Sequence, residues 1–195
     1  MRFPHWSALS LGILLTLAVN PANALPGQRT DKVAAWMNAH PTLRPDVLNS
    51  LSVQRTNTAA QRFSFEASVL PPGQVTFPKD RGTVRSENFH FFDMINGVTF
   101  DRLQESLRVI YGPEIYQDFD RAQIVYDYPT QATIDLARRQ NRPLLASTKG
   151  QLRLGQRYGY WMEVVETDSG KAYNGYMTVF LKEDLDKVEA ELRDR

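Results

Sequence analysis

The stretch from Ile95 to Tyr128 constrains the fold more than any other part of the chain. Asn96-Gly97 is a tight-turn dipeptide. Thr99 then offers a side-chain oxygen to the first turn of a helix, and Asp101 places negative charge where a helix N-terminus favours it. At about 100° per residue, Phe100, Leu103, Leu107, Ile110 and Tyr111 fall within one arc of roughly 100°, the width of a core-facing stripe. Gly112 and Pro113 end the pattern. Beyond the break, Ala122, Ile124, Tyr126 and Tyr128 alternate with Arg121, Gln123, Val125 and Asp127 up to Pro129, which predicts a strand with one buried face. A helix that folds back onto its flanking strands is the natural centre of an α+β domain.

Further segments fit around this centre. From Gln61 to Leu70, Phe63, Phe65, Ala67 and Val69 point one way and Arg62, Ser64, Glu66 and Ser68 the other, so a strand with one polar face is expected. Thr83 to Ile95 and Gln151 to Leu154 are further strands, and Tyr158–Thr167 with Lys171–Leu181 forms a hairpin around Asp168-Ser169-Gly170. Helices are expected at Asp31–His40, stopped by Pro41, and at Thr130–Asn141, stopped by Pro143. A short one is expected near Arg44-Pro45-Asp46. A last helix runs from Lys182 to Arg193 on a stripe of Leu181, Leu185, Val188 and Leu192, with Glu183–Lys187 and Glu189–Arg193 as i,i+4 pairs. Ser52–Ala60 reads as a polar connection. The sum is an α+β fold, a mainly antiparallel sheet of about five or six strands with helices packed on one face.

Residues 1–24 carry the marks of a secretory signal peptide. Arg2 precedes an apolar core from Ala8 to Val19, Asn20-Pro21 breaks it, and Ala22-Asn23-Ala24 is a cleavage site before Leu25. As an uncleaved anchor, Trp6 to Val19 would span only about 21 Å against a hydrocarbon core of about 30 Å. There is no twin arginine and no cysteine to carry lipid. Export through the Sec route is expected, to a periplasmic, lumenal or secreted location, with no transmembrane segment after cleavage. Residues 25–195 then form a single domain, long enough to bury a core without disulfides, and the sequence has no cysteine. The whole sequence holds 23 basic and 22 acidic residues, and loss of Arg2 leaves them balanced. Nucleic acid, which calls for a basic surface, is not an expected partner.

No catalytic, cofactor-binding or metal-binding motif occurs, so no cofactor or metal is expected. Asp118-Phe119-Asp120 opens like a calcium loop, but Ala122 stands where a third ligand is needed. Glu87, His90 and Asp93 are a compact titratable group, yet on a strand His90 points away from both carboxylates. Two features point to binding. Between Leu136 and Met162 there is no acidic residue, while Arg138, Arg139, Arg142, Lys149, Arg153 and Arg157 all fall there, and guanidinium forks suit carboxylate or phosphate. The following hairpin is rich in rings suited to a half-wet surface, among them Tyr158, Tyr160 and Trp161. A solvated face and a covered core edge would account for the same residues.

The segments Gln61 to Gly73, Asp93 to Val98 and Gln123 to Pro129 resemble exported proteins of cyanobacteria with no assigned activity. That resemblance implies a periplasmic or lumenal setting and carries over no site. The expected function is that of an exported, soluble, non-enzymatic protein that binds an envelope component or a partner protein, and the arginine run admits an anionic one. The alternative is a hydrolase of envelope glycans or peptides working through carboxylates such as Glu87, Asp93 or Asp127, which must face each other across a cleft.

Overall fold

The computed structural model describes residues 25–77 and 80–195; the expected signal peptide lies outside the described residues. Seven strands form one antiparallel sheet. They are β1 (Ser52–Thr58), β2 (Gln61–Ser68), β3 (Ser86–Asp93), β4 (Gln123–Tyr128), β5 (Thr148–Leu154), β6 (Tyr158–Glu166) and β7 (Ala172–Leu181). Their order across the sheet is β1-β2-β3-β7-β6-β5-β4, so the hairpin β6–β7 is inserted between the two halves. Among the described residues six α-helices accompany them: α1 (Thr30–Ala39), α2 (Phe100–Tyr111), α3 (Pro113–Asp120), α4 (Gln131–Arg139), α5 (Pro143–Ser147) and α6 (Leu185–Arg193). A 3-10 turn, Lys182–Asp184, leads into α6.

The central helix forms as its sequence dictates. Thr99 accepts a hydrogen bond from the Arg102 backbone N–H, and Leu103, Leu107, Ile110 and Tyr111 are buried. Gly112 takes φ 86°, a conformation that favours glycine, and Pro113 starts α3 rather than ending helical structure. The α2 face packs on the sheet together with Val33 and Met37 of α1 and Ile115 and Phe119 of α3, over Phe65, Phe89, Tyr160, Met162, Met177 and Val179.

The sheet has a second apolar face. Residues paired across antiparallel strands share a face, and neighbours along a strand do not. Tyr160 pairs with Val179 in the first core, whereas Trp161 pairs with Thr178 and with Leu152 on the other side. Leu152 and Phe180 form a second cluster there with Leu185, Val188 and Leu192 of α6. The expectation of five or six strands with helices on one face is therefore corrected twice: there are seven strands, and α6 covers the face opposite α1–α3.

α6 is held in place by charge as well as by burial. Arg85, just before β3, donates to both oxygens of the buried Asp184, at 3.2 and 2.7 Å. Lys187 donates to the carbonyls of Pro72 and Gln74 and pairs with Glu191 at 2.7 Å. Glu189 pairs with Arg193 as its spacing predicts, but Glu183 pairs with Arg85, not with Lys187.

Candidate functional site

A cleft lies on the α6 face of the sheet, at the β4 edge. Its volume is about 550 Å³. The floor is set by β4: Tyr126 and Tyr128, two residues apart, point to the same side, with ring centroids 5.4 Å apart. The cross-strand partner of Tyr128 is Gly150. A Cβ there would run into the Tyr128 ring, so glycine is what lets the ring lie down over β5. One wall comes from α5 through Pro143, Leu144 and Leu145, and the other from Leu192 at the end of α6.

Three guanidiniums stand around this apolar hollow. Arg193 sits with its Cζ 4.4 Å from the Tyr126 ring centroid and is held by Glu189 through Nε and Nη2, at 2.8 and 2.7 Å. Arg195 stacks on Trp161, its Cζ 5.0 Å from the ring centroid, and donates to Glu163 Oε2 at 2.7 Å. Arg142, the exposed residue before α5, has no carboxylate within ion-pair distance among the described residues. Arg142 is thus the cation most available to a ligand.

A hydrogen-bond chain fixes the floor. Trp161 Nε1–H donates to Tyr128 Oη at 2.7 Å, and Tyr128 Oη–H donates to Glu163 Oε2 at 2.6 Å. Indole only donates and a carboxylate only accepts, so the direction of the chain is set. Burial, and then the nearby Glu163 carboxylate, push the Tyr128 hydroxyl well above its ordinary value, so it remains a donor across the physiological range.

The arginine-and-aromatic set expected from sequence is divided by the fold. Arg142 lines the cleft and Trp161 supports its floor. Arg138 and Arg142 also line a neighbouring polar hollow with Glu166 and Asp168, and Arg139 lines neither. Arg153 and Arg157 lie on the opposite side, against α3. Arg153 packs over Phe119, with Cζ 4.6 Å from the centroid, and donates to Gln151 Oε1 at 3.1 and 2.8 Å. Arg157 lies over Tyr158, with Cζ 5.5 Å from the centroid, and faces Glu114. Tyr158 and Tyr160 are in the core, and Tyr160 donates to Asp118 at 2.7 Å. Asp118 also accepts from the backbone of Gln156 and Arg157, so the would-be calcium residue anchors the β5–β6 turn instead. Sequence reasoning did not single out Tyr126, Glu163, Leu144, Leu192, Arg193 or Arg195 as a site. The shared face of Tyr126 and Tyr128 was a visible signal; their meeting with the end of α6 is a long-range event with no local trace.

The three carboxylates named for hydrolysis stand apart from this cleft. Glu87 is in the core, where Oε2 accepts from Tyr111 Oη at 2.6 Å and Oε1 has no partner among the described residues. Asp93 is also buried. Burial alone would raise its pKa, but the Asn96 backbone N–H, the Arg102 guanidinium, and the side chains of Asn96 and Gln61 hold it well below the usual carboxylate range. It caps the β3–α2 turn. Asp127 is exposed on β4, on the face away from Tyr126 and Tyr128. His90 points away from Glu87 and Asp93, as alternation requires; it stacks on Tyr176 at 4.3 Å and meets Asn174 Oδ1 at 3.2 Å.

No family model, curated protein or solved structure matches the chain. No helix among the described residues is long and apolar enough to cross a membrane.

Proposed function

We propose that this chain is an exported, soluble, non-enzymatic binding protein. The ligand is an envelope component with an anionic group on an apolar body, received in the cleft between β4, α5 and α6. The observation that carries this reading is the make-up of the cleft: about 550 Å³ of apolar and aromatic lining with Arg142, Arg193 and Arg195 around it. Small-molecule sites run from about 300 to 1,000 Å³ and combine an apolar lining with a few placed polar groups. Arg193 and Arg195 are already neutralised by Glu189 and Glu163. Arg142 therefore supplies the charge, Tyr126 and Leu144 the apolar contact, and Tyr128 a fixed floor.

The test is a thermal-shift series on the purified protein with acyl-chain carboxylates, anionic lipid headgroups bearing short chains, acidic glycans and uncharged detergents. A ligand at 100 times its Kd adds about 2.7 kcal/mol of stability. For a chain of this size that raises Tm by roughly 5–10 °C. The expected result is such a rise with amphipathic anions, lost in Arg142→Glu and in Leu144→Asp, both exposed positions. A flat series, or a shift that both variants retain, overturns the reading.

A further inference from the structure

The half of the α6 face that α6 leaves uncovered is a different surface. Cross-strand register lays out two adjacent rows on it. One row runs Glu66, Asn88, Thr178, Trp161 and the next runs Ser64, His90, Tyr176, Glu163, each across β2, β3, β7 and β6. At about 4.8 Å between strands the rows are roughly 14 Å wide. They line a groove of about 420 Å³ that meets the cleft only at Glu163. We propose that this groove is a second binding site, and that it takes a neutral, hydroxyl-rich saccharide chain.

The rings supply the first part of the argument. His90 and Tyr176 stack with centroids 4.3 Å apart and planes 7° from parallel, and Tyr176 remains 43% exposed. The pair is fixed by the contact of His90 Nε2 with Asn174 Oδ1, so Tyr176 is held with one ring face against His90 and offers the other to a ligand. Burial holds the His90 imidazole below its ordinary pKa, which leaves the stacked pair uncharged at neutral pH. Trp161 closes the other end, its ring oriented by the bond from Nε1 to Tyr128. Such surfaces suit the C–H face of a pyranose, which is apolar and flat.

The polar groups supply the second part, because they select by exclusion. Asn88 Oδ1 accepts from Thr178 Oγ1 at 2.7 Å, and the Asn88 NH2 has no partner among the described residues, so it can donate to a ligand. Glu163 Oε1 makes no hydrogen bond to the described residues, and Glu66 is exposed. A ligand must therefore both donate and accept, as a hydroxyl does. An apolar partner would leave these groups unpaired, at a cost per group. A polyanion, nucleic acid included, would face the exposed carboxylate of Glu66. An added peptide strand is excluded because β2, β3, β7 and β6 are all interior strands with both edges already paired. A chain of sugar rings meets every condition.

The groove is tested separately from the cleft. Neutral oligosaccharides (chitohexaose, cellohexaose and maltohexaose) are titrated into the purified protein, followed by calorimetry and by tryptophan fluorescence. At least one is expected to bind and to perturb Trp161 emission. Tyr176→Ala and Glu66→Gln should each weaken it by about tenfold, the loss of one good ring or hydrogen-bond contact. Both positions are exposed, and circular dichroism with Tm checks that the fold is kept. Arg142→Glu should leave sugar binding unchanged, which separates this site from the arginine cleft. No binding up to millimolar sugar overturns the proposal, as does binding that both groove variants retain, or binding lost only in Arg142→Glu.

Discussion

Glu87 is the residue at which the core is most exposed to pH. It sits on β3 beneath α2, fully buried, with one oxygen bonded to Tyr111 and the other without a partner among the described residues. Burial pushes its carboxyl up to about 7 from an ordinary 4.5, and the Tyr111 bond offsets only part of that. A carboxyl raised in the folded state holds its proton more tightly there than in the unfolded chain. Its contribution is fully present below about pH 4.5 and is lost as pH rises through about 7. The loss amounts to roughly 3 kcal/mol, at 1.36 kcal/mol per unit. Glu87→Gln keeps the shape and the acceptor for Tyr111 but cannot ionise. His40 and His90, both lowered first by burial, act in the opposite direction, since acid favours the unfolded state that can charge them. The quantity to measure is therefore the difference between wild-type and Glu87→Gln urea midpoints from pH 4.5 to 8. That difference should move in favour of the variant as pH rises; a constant difference would mean that Glu87 is charged in the fold.

At the scale of elements, α6 decides whether the cleft exists, because Leu192 and Arg193 form one wall. Its first turn is anchored by Asp184, whose side chain is only 10% exposed and accepts two bonds from Arg85. Asp184→Ala leaves Arg85 with Glu183 alone. A hydrogen bond to a charged group is worth roughly 2 kcal/mol, so a loss of that size is expected in chemical denaturation. Faster hydrogen exchange should be concentrated in α6, and exchange spread evenly over the sheet would show that the anchor is not local.

Elements with strong periodicity were legible in the sequence. They are α2 with its stop at Gly112, β2 with alternating phenylalanines, and the β6–β7 hairpin around Asp168-Ser169-Gly170. β1 reads as a polar connection in the sequence because Val53 is its only buried residue, as befits an edge strand. α3 and α5 each begin at a proline that reads as a stop in the sequence, although proline is at home in the first turn. The helix expected after Arg44 does not form. The stripe of α6 predicted burial but not which face of the sheet it would cover. The arginine run was legible as composition only. Alternation and turns send Arg153 and Arg157 to α3, while Arg142 goes to the cleft.

The whole molecule is built around strands that carry two cores at once. On β6 and β7, Tyr160 and Val179 face α1–α3 while the adjacent Trp161 and Phe180 face α6. No side chain of one cluster can be released without disturbing the backbone that positions the other. A single cooperative transition is therefore expected despite two separate apolar clusters. Leu107→Ala opens a cavity in the first core and should cost about 2–5 kcal/mol. Val188→Ala does the same in the second, by a smaller amount because fewer methyl groups are removed. Both should lower one common transition, coincident by far-ultraviolet circular dichroism and by tryptophan fluorescence. In the double variant the losses should add to within about 0.5 kcal/mol, since the two sites lie on opposite sides of the sheet. If Val188→Ala instead produced an early fluorescence transition with the circular dichroism of the sheet intact, α6 would be a separately melting flap. The cleft would then be a feature that opens and closes with it, not a permanent part of the fold.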